Sequence, residues 1–461
     1  MVFSSLNFLF LFFPLVMLLH LAVPRAWKNP VLLAASVYFY AWGEPVYIVL
    51  MLISVAFNYV TGRQIGEQAS PRRKKRSLIF ALAFNLGVLG FFKYYGFLVE
   101  TLNALLRLDL GYRALPLPIG ISFYTFQALS YVIDVYRGKV KPQRSLVDFA
   151  VYITMFPQLV AGPIVQYADI EKQLKKRAVS LPQCGQGLER VIQGLAKKVL
   201  LANNLGLLYD AVQASASRSV LTAWLGALAY ALQIYFDFSG YSDMAIGMGK
   251  MLGFSFLENF DYPYLSKSVS EFWRRWHISL SSWFREYVYI PLGGNRVKAG
   301  RHVLNLMIVW MLTGLWHGAS WNFVLWGAYY GVLLVLERYV LGGLLARLPA
   351  AAAHAYTLLL VLVGWVIFSN TDFAQMRAYL GSLVGVGAGG FADSAFLYYL
   401  RSNAVLLIVG VLCATPAVRK RMVRRMYAQP GVAVATSVLL FLASTAFLVY
   451  GSYNPFLYFR F

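Results

Sequence analysis

Apolar runs and short polar breaks alternate along the whole chain. Asn7 to Val23, Pro30 to Trp42 and Pro45 to Thr61 are the first three runs, and Gly43, Glu44 and Pro45 split the second from the third. The cluster RRKKR at Arg72 to Arg76 precedes Leu78 to Tyr95. Leu98 to Leu110 alternates charge with leucine, which predicts an interfacial amphipathic helix rather than a crossing. Pro116 to Tyr136 is the next run, followed by Arg137, Lys139, Lys141 and Arg144. Val147 to Val165 ends in FPQLVAGPIVQ with basic residues on both flanks. Both flanks then belong on one side, which predicts a re-entrant hairpin.

Leu188 to Leu208 is weakened as a span by Lys197 and Lys198, whereas Leu221 to Phe236 is stronger. Trp321 to Leu336, Tyr356 to Phe368, Phe396 to Cys413 and Val432 to Tyr450 complete the series. At about 20 residues per crossing, the pattern predicts an all-α polytopic membrane protein. Roughly ten to twelve transmembrane helices are expected, with re-entrant and interfacial helices besides. The expected organisation is a single transmembrane domain over 1–461: N-terminal spans in 1–136, a core in 147–340 and C-terminal spans in 354–461.

Composition agrees with that picture. Only 13% of the residues are charged, against about a quarter in soluble domains. The net charge of +22 raises nucleic acid as a partner. Its distribution rejects it, because the excess sits in short clusters such as RRKKR and RKRMVRR (Arg419 to Arg425) between apolar runs. Such loops set topology and meet anionic lipid. They are expected in the cytosol, with the final SYNPFLYFRF outside. No Lys or Arg precedes the first run, so it reads as a retained span rather than a signal peptide. Two cysteines, Cys184 and Cys413, make neither a disulfide framework nor a zinc site. GVGAGG around Gly385 lacks the strand and the acidic residue of a dinucleotide fingerprint.

One stretch breaks the apolar monotony. Lys267 to Gly327 contains His277, His302 and His317 and most of the eleven tryptophans, Trp273, Trp276, Trp283, Trp310, Trp316 and Trp321 among them. Polar groups are costly at membrane depth and mark pathways or reactions there. His317, in LWHGAS, is the first candidate, since imidazole takes and returns a proton near neutrality. His277, in FWRRWHISLSSWF, is the second. Helical spacing places Trp273, Trp276 and His277 on one face, and an interfacial helix explains the segment equally well. No carboxylate or cysteine stands at ligand spacing from these histidines, so no metal site is expected. Asp237, Ser239, Tyr241, Ser242 and Asp243 form a third group in FDFSGYSDM. Two carboxylates there could orient a histidine or pair with an arginine, but a turn and helix cap around Gly240 is the favoured reading.

These segments carry a resemblance. EFWRRWHISLSSWFREYVYIPLGGNR, TGLWHGASWNFVLWG, FDFSGYSDMAIG and FPQLVAGPIVQ, in order, are similar to membrane-bound O-acyltransferases and within them to the bacterial alginate O-acetylase (AlgI-like) branch. The likeness runs over nearly the whole chain, although the chain is shorter than typical alginate enzymes in its C-terminal third. The resemblance implies a ring of helices around a thinned central site, with a donor channel to the cytosol and an acceptor funnel outside. It implies that His317 is catalytic and that His277 is the second characteristic position. The donor implied is acetyl-CoA, with no bound cofactor. The partners implied are membrane lipid, an exported polysaccharide such as alginate and a periplasmic SGNH-type acetyltransferase, at the bacterial inner membrane.

In that scheme Arg274, Arg275, Arg296 and Lys298 hold donor phosphates at the cytosolic mouth. Asn295 or Asn322 and backbone N–H groups near Gly314 and Gly318 are candidate oxyanion donors. Trp273, Trp276, Trp316, Asp237 and Asp243 complete the candidate substrate-binding set. Two readings compete with the enzyme: a transporter or channel for an acyl carrier, and a non-catalytic scaffold of a polysaccharide export complex.

Overall fold

The structure, a computed structural model, describes all residues except 114, 161, 216, 419, 422–427, 452–455 and 458–461. Most of RKRMVRR and of SYNPFLYFRF therefore lies outside the described residues.

The described chain is helical with no strand, only an isolated bridge between Phe260 and Trp276. The first helices are α1 Phe13–Ala22, α2 Lys28–Gly43, α3 Tyr47–Glu67, α4 Pro71–Leu106 and α5 Ile121–Arg137. Then come α6 Leu146–Thr154, α7 Phe156–Leu159, α8 Tyr167–Lys175, α9 Leu181–Ala196, α10 Asn203–Gln213 and α11 Val220–Met251. The Trp-rich stretch folds as α12 Val269–Arg275, α13 Ile278–Phe284, α14 Ala299–His317 and α15 Trp321–Leu336. The chain continues as α16 Gly342–Leu345, α17 Ala350–Ser369, α18 Phe373–Leu383, α19 Ser394–Ser402, α20 Ala404–Cys413 and α21 Pro430–Tyr450.

Among the described residues, six helices are long and apolar enough to cross a membrane: α3, α4, α11, the run Trp321–Leu345, α17 and α21. The bent pair α19–α20 makes a seventh if counted as one span. The other apolar runs fold as helices that are shorter or more polar, which is why the count by length is below the number of runs.

Local chemistry sets the boundaries. Pro71 and Pro430 open α4 and α21 at a position where a missing N–H costs nothing. Ser145, Ser268, Asp372 and Asp393 cap α6, α12, α18 and α19 through their side chains. Gly120, at φ +74, turns the chain into α5, where a β-carbon would meet the carbonyl oxygen of Leu159 at 2.6 Å.

Two expectations change here. RRKKR and Leu98 onward belong to the single helix α4, so there is neither a basic loop nor a separate interfacial helix before Leu106. The expected turn at Gly240 is absent, because α11 runs unbroken through FDFSGYSDM. Gly240 instead admits a close neighbour: a β-carbon there would meet the carbonyl oxygen of Gly194 at 2.7 Å. Val147 to Val165, read as a re-entrant hairpin, forms the short helices α6 and α7.

The chain divides into two compact units, 1–191 with 242–258, and 192–241 with 259–461. In the first, α3 and α4 exchange side-chain amide bonds between Asn58 and Asn85, at 3.0 and 2.7 Å. The second holds the Trp-rich stretch. There α14 and α15 form a hairpin whose helices touch backbone to backbone. A β-carbon on Gly314 would strike the carbonyl oxygen of Phe323, and one on Gly327 that of Trp310.

Candidate active site

His317 is the last residue of α14, and the chain leaves the helix at Gly318 in extended conformation. Its ring is enclosed by Trp316, Trp326 and Phe368, with centroids 5.1, 5.1 and 5.2 Å away. It faces a small cavity lined by Ile234, Asp237, Phe238, Trp276, His317, Trp365, Phe368, Phe456 and Leu457. About 20 Å³ is free to a water-sized sphere, little more than one water requires. The lining is apolar and aromatic except for His317 and Asp237.

Asp237 forms an ion pair with Lys198, which lies in the π-helical turn Lys197–Ala202. It also accepts a hydrogen bond from the backbone N–H of Leu457 at 2.7 Å. Both charged side chains are almost fully buried. Burial of a charge is tolerated when it is paired and hydrogen-bonded.

His277 does not share a helical face with Trp273 and Trp276, as the spacing led one to expect. Helix α12 stops at Arg275, Trp276 is extended, and His277 adopts φ +47 before α13 begins. The cause lies opposite. Asp261 N–H donates to the Arg275 carbonyl at 2.9 Å and Ile278 N–H to that of Asn259 at 3.0 Å, so a short extended pairing interrupts the helix. A bulky residue at positive φ is uncommon and persists only where its surroundings enforce it.

The His277 ring packs edge-on against Phe238, 4.6 Å away, and beside Trp316 at 5.8 Å. It therefore stands behind the cavity wall that Phe238 forms. Trp316 is the indole common to both histidines. Nδ1 of His277 lies 3.1 Å from Oδ1 of Asn259. Burial pushes the imidazole pKa down to about 3.

The other selected residues separate into groups. Trp276 lines the cavity and packs on Trp365 at 4.8 Å. Trp365 is held in turn by its indole N–H, which donates to Tyr264 Oη at 3.1 Å. Trp273 lies away from the cavity in a box of Trp310, Trp326 and Tyr330. Arg275 pairs with Glu271 at 2.9 Å and Asp261 at 3.4 Å, while Arg274, Arg296 and Lys298 are exposed.

Asn295, Asn322 and Asp243 are not among the residues that line the cavity at His317. Asn295 is exposed before the start of α14, whose 19 residues end at His317, a rise of about 27 Å. Asn322 is buried, and its amide donates to the carbonyls of Phe368 (3.0 Å) and Ile367 (3.4 Å), tying α15 to α17. Asp243 pairs with Arg190 at 2.8 Å, and Arg190 also holds Glu258 at 2.6 Å, within the other compact unit. His302 is bracketed by the hydroxyls of Tyr289 and Tyr339 at 2.8 and 2.7 Å.

Lys198, Asn259, Trp365 and Phe368 escape the sequence reading as site residues. Only Lys198 carries a signal, as a cation inside an apolar run.

Comparison with known proteins gives the family. Residues 141–369 match the model of the membrane-bound O-acyltransferase family, a span that includes both histidines. The probable alginate O-acetylase AlgI of Azotobacter vinelandii is 41% identical, with all of both chains covered. The peptidoglycan O-acetyltransferase of Helicobacter pylori is 32% identical over 88% of this chain and 85% of its own. The teichoic acid D-alanyltransferase of Bacillus subtilis is 29% identical over 48% of this chain and 59% of its own. With its apolar helices and its buried histidine site, the chain belongs to the AlgI-like branch of the membrane-bound O-acyltransferases and is a multi-pass membrane acyltransferase.

Proposed function

We propose that the protein transfers an acetyl group from acetyl-CoA, supplied from the cytosol, toward O-acetylation of an exported or cell-surface polysaccharide. The polymer receives the group directly or through a periplasmic SGNH-type acetyltransferase, and the membrane is the bacterial inner membrane. The observation that carries this reading is the buried imidazole of His317 at the wall of a small cavity whose lining is otherwise almost wholly apolar and aromatic. Relatives named for O-acetyl transfer point the same way.

In this reading His317 is the general base. The acceptor hydroxyl oxygen attacks the thioester carbonyl carbon, and its proton passes to the imidazole. The tetrahedral intermediate then expels the thiolate, the C–S bond breaks, and the imidazolium returns the proton to sulfur. General-base assistance is worth about 10²–10⁴-fold. His277, with a neutral ring behind Phe238, supports the site from the second row, and the aromatic lining excludes water that would otherwise hydrolyse the thioester.

The test is acetyl transfer by the full-length protein in nanodiscs with its partner, from radiolabelled acetyl-CoA. Wild type is expected to release CoA and pass on label, and His317→Ala to do neither while still binding donor. Equal transfer by folded wild type and His317→Ala would remove His317 from the chemistry.

A further inference from the structure

Glu337 follows α15 directly, at the start of the π-helical turn Glu337–Leu341. Its side chain turns inward and is only 6% exposed. Oε1 accepts from the N–H of Val269 at 2.6 Å. Oε2 accepts from the N–H of Ser270 at 2.8 Å and from its hydroxyl at 2.7 Å. Val269 and Ser270 are the first residues of α12, the helix that leads into His277.

We propose that Glu337 is a positioning residue for acyl transfer: its carboxylate fixes the α12–His277 segment to the α14–α15 hairpin that carries His317. The inference rests on the reading of His317 and His277 as the working pair.

The mechanical argument has three parts. The hairpin is rigid, because the contacts at Gly314 and Gly327 leave no room for the helices to slide. Glu337 sits at its far end and so moves with His317. Helix α12 has seven residues, too few to be stable alone. Its position comes from its neighbours: Trp273 packs its side on Trp310, Trp326 and Tyr330 of the hairpin, and polar contacts hold its ends. The far end is held by Asn259 through His277 and Ser279. The near end is held by Ser268, which accepts from Glu271 N–H at 3.0 Å, and by Glu337. Of the polar contacts at its two ends, the one from Glu337 comes from the end of the hairpin and fixes the rotation and height that ring packing alone leaves loose.

A π turn at this point also has a reason. The wider turn redirects the side chain that follows α15, and such turns gather at functional sites. Charge-assisted bonds from a carboxylate to helix N–H groups are short and strong, and the N-terminus of a helix favours negative charge.

The experiment compares Glu337→Ala, Glu337→Gln and Ser270→Ala with wild type in nanodiscs, using acetyl-CoA as donor and normalising to folded protein. Glu337→Ala should lower kcat by about tenfold or more, since small displacements of working groups are costly. KM for acetyl-CoA should stay within about twofold, as expected when only transition-state geometry is lost. Glu337→Gln, which keeps the shape and one acceptor oxygen, should recover part of kcat. Ser270→Ala should show a smaller loss in the same direction. In a His277→Ala background Glu337→Ala should add nothing further, because its action passes through that residue.

Unchanged kcat in folded Glu337→Ala overturns the proposal, as does full additivity with His277→Ala. If Glu337→Ala does not fold, unchanged kcat in both Glu337→Gln and Ser270→Ala overturns it. A dead His317→Ala beside a fully active Glu337→Ala would leave the transfer reading standing and remove Glu337. An active His317→Ala would remove both.

Discussion

Oδ1 of Asn259 accepts from the N–H of Ser279 at 3.2 Å and from its hydroxyl at 2.9 Å, and stands 3.1 Å from Nδ1 of His277. The Ser279 N–H can only donate, so it fixes which end of the amide faces the histidine. Nδ1 must then carry the proton and Nε2 the lone pair. Asn259→Ala removes the acceptor for three donors. We expect a loss of about 1–3 kcal/mol in stability and a fall in kcat of about tenfold or more. Asn259→Asp, which retains an acceptor oxygen, should be the milder change. Thermal unfolding and initial rates of the three proteins in nanodiscs check this.

His277 also predicts a pH dependence. Its folded pKa of about 3 lies below the unfolded value of about 6.5. Between those values the unfolded chain binds more protons than the folded one, so stability rises with pH through that window and is flat above it. Acidification from neutrality should therefore lower the unfolding midpoint of wild type more steeply than that of His277→Gln. Parallel curves for the two proteins would contradict the buried, neutral imidazole.

The buried pair Lys198–Asp237 gives a third expectation. Lys198→Ala takes the cation away from a buried carboxylate and should cost about 3–5 kcal/mol. Lys198→Met combined with Asp237→Leu removes both charges and should restore most of that loss. A denaturant series on the single and double variants decides it.

Two glycines in α14 should respond oppositely. Gly314→Ala drives a methyl group into the Phe323 carbonyl, where backbone has to move. A cost of about 1–3 kcal/mol is expected, together with lost transfer because His317 is three residues away. Gly300→Ala meets nothing within 4 Å and should be neutral or stabilising by up to about 1 kcal/mol. Unfolding midpoints and transfer rates, measured side by side, test the contrast.

These cases show where sequence reading reaches. The apolar runs located the helices, and the histidines stood out because an ionisable side chain is conspicuous among leucines. Periodicity misplaced His277, because α12 ends on an extended pairing with Asn259–Asp261 that no local pattern announces. It also turned FDFSGYSDM into a cap, since Gly, Ser and Asp favour turns unless tertiary partners such as Lys198 occupy their side chains. Asn259 and Glu337 were invisible for a simpler reason. Their roles come from partners 18 to 68 positions away, and spacing along a chain carries no information about such contacts.

Helix α4 has 36 residues, a length of about 54 Å against a hydrocarbon layer of about 30 Å. Much of it must stand clear of the lipid tails or lean strongly. Arg72 to Arg76 occupy its first turns, and consecutive residues step about 100° around the axis. Their five cations therefore form a collar rather than a flat patch. Whichever way the helix rotates, some of the collar meets the headgroups. Drawing the rod inward would drag charge into hydrocarbon from every side. The collar works as a depth stop, holding the rod at one height in the bilayer, while the Asn58–Asn85 pair fixes which face it turns to α3.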